Sequence, residues 1–323
     1  MLISVFIIIA GFILLIKGAD WLVTGSSALA KKYNVSDLVI GLTIVSFGTS
    51  APELVVNSVA SFQQHSDIVY GNILGSNIVN LFLILGIAGL VNPILVHTNT
   101  VWKEIPVSIL AIVVLYVLSN GFLPGQINTL TRFDGLILLI FFGGFLFYIY
   151  QQMKADRNDP ESLSIKNLTA LKIGLLIVGG LAGLIFGGKL VVDSAVKIAT
   201  ALGVSEKIIG LTIIAVGTSL PELMTSVVAA IKKNSDIALG NIIGSNIFNI
   251  FFILSVSSII NPVQFNPSFN LELYILAGGT LLLFAAMFTG GKKRLDRWES
   301  VVLLLCYIFY TAYLVWREIG AGV

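Results

Sequence analysis

The chain has 323 residues, 56% of them hydrophobic and only 11% charged, with a mean hydropathy of +0.96 and a formal charge of +2. A soluble domain does not carry that apolar excess, and so small a net charge gives no reason to expect a nucleic-acid partner. The lone cysteine, Cys306, excludes an intrachain disulfide and a metal-thiolate pair.

Apolar runs long enough to cross a ~30 Å hydrocarbon core follow one another along the sequence. The first, over 3–30, has no basic residue ahead of its apolar stretch and no convincing small-residue cleavage site, so it is taken as a span and not as a removed leader. Inside it Lys17 and Asp20 have the spacing of a self-neutralising pair. The second, 37–62, contains Gly48-Thr49-Ser50-Ala51-Pro52-Glu53. Proline lacks an amide hydrogen and crowds the preceding turn, so a break is expected there, with backbone carbonyls freed at membrane depth. The third, 69–91, opens with Gly71-Asn72-Ile73-Leu74-Gly75-Ser76-Asn77 and continues to Asn80. Its glycines admit a close neighbour, Ser76 and Asn80 share one helical face, and Asn72 and Asn77 lie on other faces. Spans at 102–120 and 131–150 follow, and then a polar segment, 151–167, too short for a regulatory domain.

Five more spans, at 168–199, 206–231, 238–260, 271–290 and 298–317, repeat the pattern. At an offset of 169 positions Glu53 matches Glu222 inside Gly217-Thr218-Ser219-Leu220-Pro221-Glu222, and Ser76 and Asn80 match Ser245 and Asn249. Lys189 and Asp193 have pair spacing in the sixth span; Asp67 and Asp236 fall at span starts, where helix N-termini welcome carboxylates. His65 and His97 are loop residues without ligand spacing. The expected fold is an all-α polytopic membrane protein of ten transmembrane helices, with repeats at 1–150 and 168–323 joined by the linker 151–167. Because five is odd, the second repeat enters from the opposite side and the two are inverted. Lys31, Lys32, Lys103, Lys154, Arg157, Lys166, Lys172, Lys232, Lys233, Lys292, Lys293, Arg294 and Arg297 then fall on one face, against Arg132, Lys197, Lys207 and Arg317 on the other. That bias puts the first set in the cytoplasm and both termini outside.

A carboxylate at mid-helix costs at least ~2.5–3.5 kcal/mol on insertion, and no basic residue stands at a matching place in both copies. Glu53 and Glu222 are therefore candidates for chemistry. With the carbonyls of Thr49 and Thr218, the hydroxyls of Ser50 and Ser219, and neutral donors Ser76, Asn80, Ser245 and Asn249, they would form an all-oxygen cage suited to calcium or sodium.

The doubled Gly-Thr-Ser-x-Pro-Glu, each copy followed by Gly-Asn-x-x-Gly-Ser-Asn-x-x-Asn, resembles the paired alpha repeats of the sodium/calcium exchanger family, in a compact prokaryotic form. The resemblance spans nearly the whole chain and implies a secondary active antiporter, not an enzyme. It implies a plasma-membrane location, the bilayer as surroundings, Na⁺ and Ca²⁺ as transported ions, and neither a cofactor nor a protein partner. It also implies a core of the second, third, seventh and eighth helices, across which the first and sixth slide. Calcium would sit on Glu53, Glu222 and the Thr49 and Thr218 carbonyls. Sodium would use the carbonyls of Ser46 and Ala215, the hydroxyls of Ser50, Ser76, Ser219 and Ser245, and the same glutamates. Asn80 and Asn249 match a central pair, one of which is aspartate in some members. A proton/calcium or potassium-dependent antiporter is the nearest alternative, although proton-coupled relatives tend to carry Gly-Asn-x-x-Glu around the acid. A solute carrier would want an apolar or basic substrate pocket, and no arginine lies in a core span.

Overall fold

Residues 2–98, 100–121, 128–155, 168–202, 215–290 and 293–320 are described in a computed structural model, and nearly all are helical. Helix α1 spans Leu2–Tyr33, and α2 consists of Asp37–Thr49 and Ala51–Phe62, which meet at 47°. Then come α3 (Ser66–Val91), α4 (Thr100–Ser119), α5 (Arg132–Lys154) and α6 (Ala170–Ala201). Helix α7 is Leu220–Ile231, preceded by the turn Ala215–Thr218; α8 is Ser235–Ile260, α9 Asn270–Ala286 and α10 Arg297–Gly320. Among the described residues eight helices are long and apolar enough to cross a membrane, nine if the bent α2 is one span. The start of the expected span at 206–231, and residues 156–167 of the expected linker, lie outside the described residues.

The α2 bend falls where proline predicts it. Pro52 has no amide to offer, and the ladder resumes when Leu54 N–H donates to the Ser50 carbonyl at 3.1 Å. In the second copy Leu223 N–H reaches the Ser219 carbonyl at 3.0 Å.

Burial sorts the helices. In their most apolar stretches α3 and α8 are 78% and 83% buried, against 22% and 28% for α1 and α6, so α3 and α8 form the centre. The outer helices turn Phe6, Phe147 and Phe309 outward, as a lipid-facing surface requires. Helices α1 and α6, of 32 residues each, are about 48 Å long and must tilt to fit a ~30 Å core. They pack antiparallel along glycines. A Cβ on Gly18 would stand 2.8 Å from the Gly180 carbonyl oxygen, and one on Gly187 2.8 Å from that of Gly11.

Charges at the helix ends do not pair as helical spacing suggests. Asp20 Oδ1 pairs with Lys232 at 2.6 Å, and Lys232 also donates to the Thr24 hydroxyl at 2.7 Å, fastening α1 to the end of α7. Lys17, one turn behind Asp20, is not its partner among the described residues. Asp236 lies in the first turn of α8 but does not cap it: Asn234 is the cap, its Oδ1 accepting from Ile237 N–H at 3.0 Å, and His97, read as an idle loop residue, contacts Asp236 at 3.2 Å. Four two-residue strands stitch loops of the two halves together. Strand β1 (Ile94–Leu95) pairs with β4 (Arg294–Leu295), and β2 (Thr129–Leu130) with β3 (Val263–Gln264), both antiparallel.

Candidate cation site

Glu53 and Glu222 each lie in the first turn after a motif proline, and each is 1% exposed. Each is held from the other half. The Ser50 hydroxyl donates to Glu222 Oε1 at 2.9 Å, and the Ser219 hydroxyl to Glu53 Oε1 at 3.3 Å. Ser76 donates to Glu53 Oε1 at 3.4 Å.

Behind the acids α3 and α8 cross. Asn80 Nδ2 donates to Asn246 Oδ1 at 3.0 Å, and Asn249 Nδ2 to Asn77 Oδ1 at 2.8 Å. Asn77 and Asn246 exchange bonds from side-chain amide to backbone carbonyl at 3.3 and 3.4 Å. Exchanging the two copies leaves this pattern unchanged. Both helices widen into a π-helical turn at matching places, Val79–Ile84 and Phe248–Ile253, which carry Asn80 and Asn249. Such turns present side chains that a regular helix would aim elsewhere, and they recur at functional sites.

What remains without a partner is all oxygen. Glu53 Oε2, Glu222 Oε2, Asn80 Oδ1 and Asn249 Oδ1 are buried and have no hydrogen-bond partner among the described residues. No basic side chain among the described residues forms an ion pair with either glutamate, and no cluster of three His, Cys, Asp or Glu side chains is present there. Two carboxylates and neutral oxygens suit a hard cation; a soft metal would want nitrogen or sulfur. Ser46 lies one turn before Ser50, its carbonyl accepting from Ser50 N–H at 3.0 Å and from the Thr49 hydroxyl at 3.3 Å. Ala215 opens the matching turn before Ser219. Thr49 and Thr218 direct their hydroxyls to Asn241 and Asn72.

The Sodium/calcium exchanger protein family matches this chain over residues 3–151 and 172–316. The chain belongs to that family. Its members and structural neighbours are exchangers, so this exchanger-family chain is a transporter and not an enzyme, integral to the membrane with multiple passes. Inner membrane protein YrbG of Escherichia coli is 37% identical over 324 residues, 98% of each chain. Sodium/calcium exchanger MaX1 of Methanosarcina acetivorans is 32% identical, covering 96% of this chain and 97% of its own. The solved structure of the sodium-calcium exchanger NCX_Mj, soaked with zero Na⁺ and Ca²⁺, superposes with a TM-score of 0.82 at 35% identity over 97% of this chain and 99% of that one.

Residues that the sequence left open or did not flag also stand around the two glutamates. Asn77 and Asn246 orient the central asparagines, from helical faces other than those of Ser76 and Asn80 or Ser245 and Asn249. Asn72 and Asn241 brace the threonines. Asn57 and Ser226 support them in turn, and escape notice because the matching positions differ in residue type. Glu104 and Glu272 are buried outside the site, Glu104 accepting from the Tyr148 hydroxyl.

Proposed function

We propose that this chain exchanges Na⁺ for Ca²⁺ by alternating access, one calcium against about three sodium ions, with net charge moved in each cycle. The observation that carries this is the set of buried, unpartnered oxygens of Glu53, Glu222, Asn80 and Asn249, which two copies of one motif bring together. With both glutamates ionised the site has a charge of −2. One Ca²⁺ neutralises it and about three Na⁺ slightly overcompensate; an empty site stays charged and is held back by an apolar gate. Shared oxygens make the two ions competitors, which couples their fluxes.

In this proposal the bent α2, the α7 segment, α3 and α8 form the core of a ten-span arrangement. Inverted repeats at 1–150 and 168–323 are joined by a linker at 151–167. The pairing of each Ser with the other half's Glu is what such inversion produces. Both termini lie outside the plasma membrane, on the loop-charge bias. Helices α1 and α6 shift across the core to open one face and then the other.

The test is uptake of radiolabelled calcium into proteoliposomes with an outward sodium gradient. Uptake should require internal sodium, disappear in Glu53→Gln and in Glu222→Gln, and respond to an imposed potential, each net charge contributing ~2.3 kcal/mol per 100 mV. Uptake driven by a pH gradient alone would replace sodium by protons. A requirement for potassium would favour the chemistry of the human sodium/potassium/calcium exchanger 1, which is 34% identical over 122 residues of this chain.

A further inference from the structure

We infer that Asn72 and Asn241 are positioning residues that set the reach of the divalent-cation shell and so govern the preference for calcium over sodium; this rests on Glu53 and Glu222 being the ion site. Each asparagine bridges the halves. Asn241 Oδ1 accepts from the Thr49 hydroxyl at 2.9 Å, while its amide donates to the Glu222 backbone carbonyl at 3.2 Å and to Ser226 Oγ at 2.9 Å. Asn72 Oδ1 accepts from the Thr218 hydroxyl at 3.4 Å, and its amide donates at 2.7 Å to Asn57 Oδ1, one helical turn beyond Glu53. Asn57 and Ser226 are tied in turn to the Val69 and Ala238 carbonyls at 3.3 and 3.4 Å.

Each asparagine thus fixes a threonine of one half against the glutamate-bearing helix of the other. An amide suits both places, because each needs an acceptor and a donor on one short side chain, and Asn241 uses both of its amide hydrogens. Aspartate offers no donor, and glutamine is one methylene too long. Calcium–oxygen distances fall within about 2.3–2.6 Å, so a carbonyl that drifts by an ångström leaves the shell. Of the oxygens that the resemblance assigns to sodium, the Ser46 and Ala215 carbonyls and the serine hydroxyls take no direct bond from these asparagines; the glutamates serve both ions, and the Thr49 hydroxyl keeps its own bond to the Ser46 carbonyl at 3.3 Å when Asn241 is lost. The two braces are also unequal. Asn241 makes the shorter bond to its threonine and grips the backbone of Glu222 itself, so its loss should weigh more.

The test uses the full chain in proteoliposomes. Initial rates of sodium-driven calcium uptake are measured against calcium, with sodium as competitor, in Asn241→Ala, Asn72→Ala, Thr49→Val and the double variant Thr49→Val/Asn241→Ala. Thr49→Val keeps the side chain's shape and the backbone carbonyl, so it removes the bond to Asn241, together with the one to the Ser46 carbonyl, where loss of asparagine prevents folding. The expected result is a rise of about tenfold in the KM for calcium in Asn241→Ala and a smaller rise in Asn72→Ala. In Asn241→Ala and Asn72→Ala maximal rate and half-inhibitory sodium should stay within about twofold, and the double variant should fall short of the product of its two single effects. Effects that multiply in the double variant, or that fall equally on calcium and sodium, overturn the brace. Glu53→Gln and Glu222→Gln run alongside: if they still transport calcium, the ion site itself is misassigned, and if they are inactive a failed brace leaves that site standing.

Discussion

Asn80 and Asn249 each offer an uncharged oxygen where a carboxylate has the same shape but gives up the amide's bond to Asn246 or Asn77. Asn80→Asp would take the site to −3, leaving one net charge when a single calcium is bound. A net negative charge on the calcium-loaded site opposes its passage through an apolar gate, unless a proton neutralises the new acid. Only the protonated form then moves freely. Calcium uptake by Asn80→Asp should therefore fall as pH rises through the titration of the new aspartate, while the natural protein shows no such loss there; matching pH profiles would refute the charge count. At this scale the sequence was most legible where chemistry and lipid conflict. Glu53 and Glu222 stood out because an unpaired acid in a span is unfavourable and both copies keep it. Asn57 and Ser226 did not, because their shared task can be done by an amide or a hydroxyl, so the repeat does not preserve residue type.

Helices α1 and α6 meet backbone to backbone, which makes neighbouring glycines unequal. A Cβ on Gly180 would lie 2.7 Å from the Leu22 nitrogen and 2.8 Å from the Gly18 oxygen, and neither backbone atom can yield. A Cβ on Gly179 would lie 3.7 Å from the Trp21 ring, an ordinary contact. Gly180→Ala should lower the thermal midpoint of the purified protein, by overpacking of about 1–3 kcal/mol, whereas Gly179→Ala should leave it unchanged or raise it slightly. Equal effects would mean that the seam is not set by backbone contact. The bend in α2 could be foreseen because proline leaves a chemical mark. The π-helical turns at Val79–Ile84 and Phe248–Ile253 could not, since one extra residue in a turn leaves propensity and hydropathy unaltered.

Across the whole molecule the two faces are fastened differently. Lys232 holds α7 to Asp20 and Thr24 of α1, but the position matching Lys232 is Gln63, and those matching Asp20 and Thr24 are Lys189 and Asp193. Helical spacing within α1 suggested Lys17 as the partner of Asp20; contacts between distant helices are invisible to that rule. A half-exposed pair is worth only ~0.2–1 kcal/mol, so it biases which face is open without locking it. Asp20→Asn should raise labelling at Val228→Cys, a buried α7 position one turn before Lys232, by up to about fivefold in a Cys306→Ala background. Unchanged labelling would show that the pair does not hold α1 in place.

The short strands carry a consequence of their own. Ile94–Leu95 on Arg294–Leu295 and Thr129–Leu130 on Val263–Gln264 join loops that the chain keeps far apart, while the asparagines and serines cross between halves at the centre. Neither half can complete its own hydrogen bonding alone. Each is an unfinished fragment whose missing partners are supplied by the other, so the boundary visible along the sequence is not a boundary of cooperativity, and the two halves gain and lose their native order as one unit.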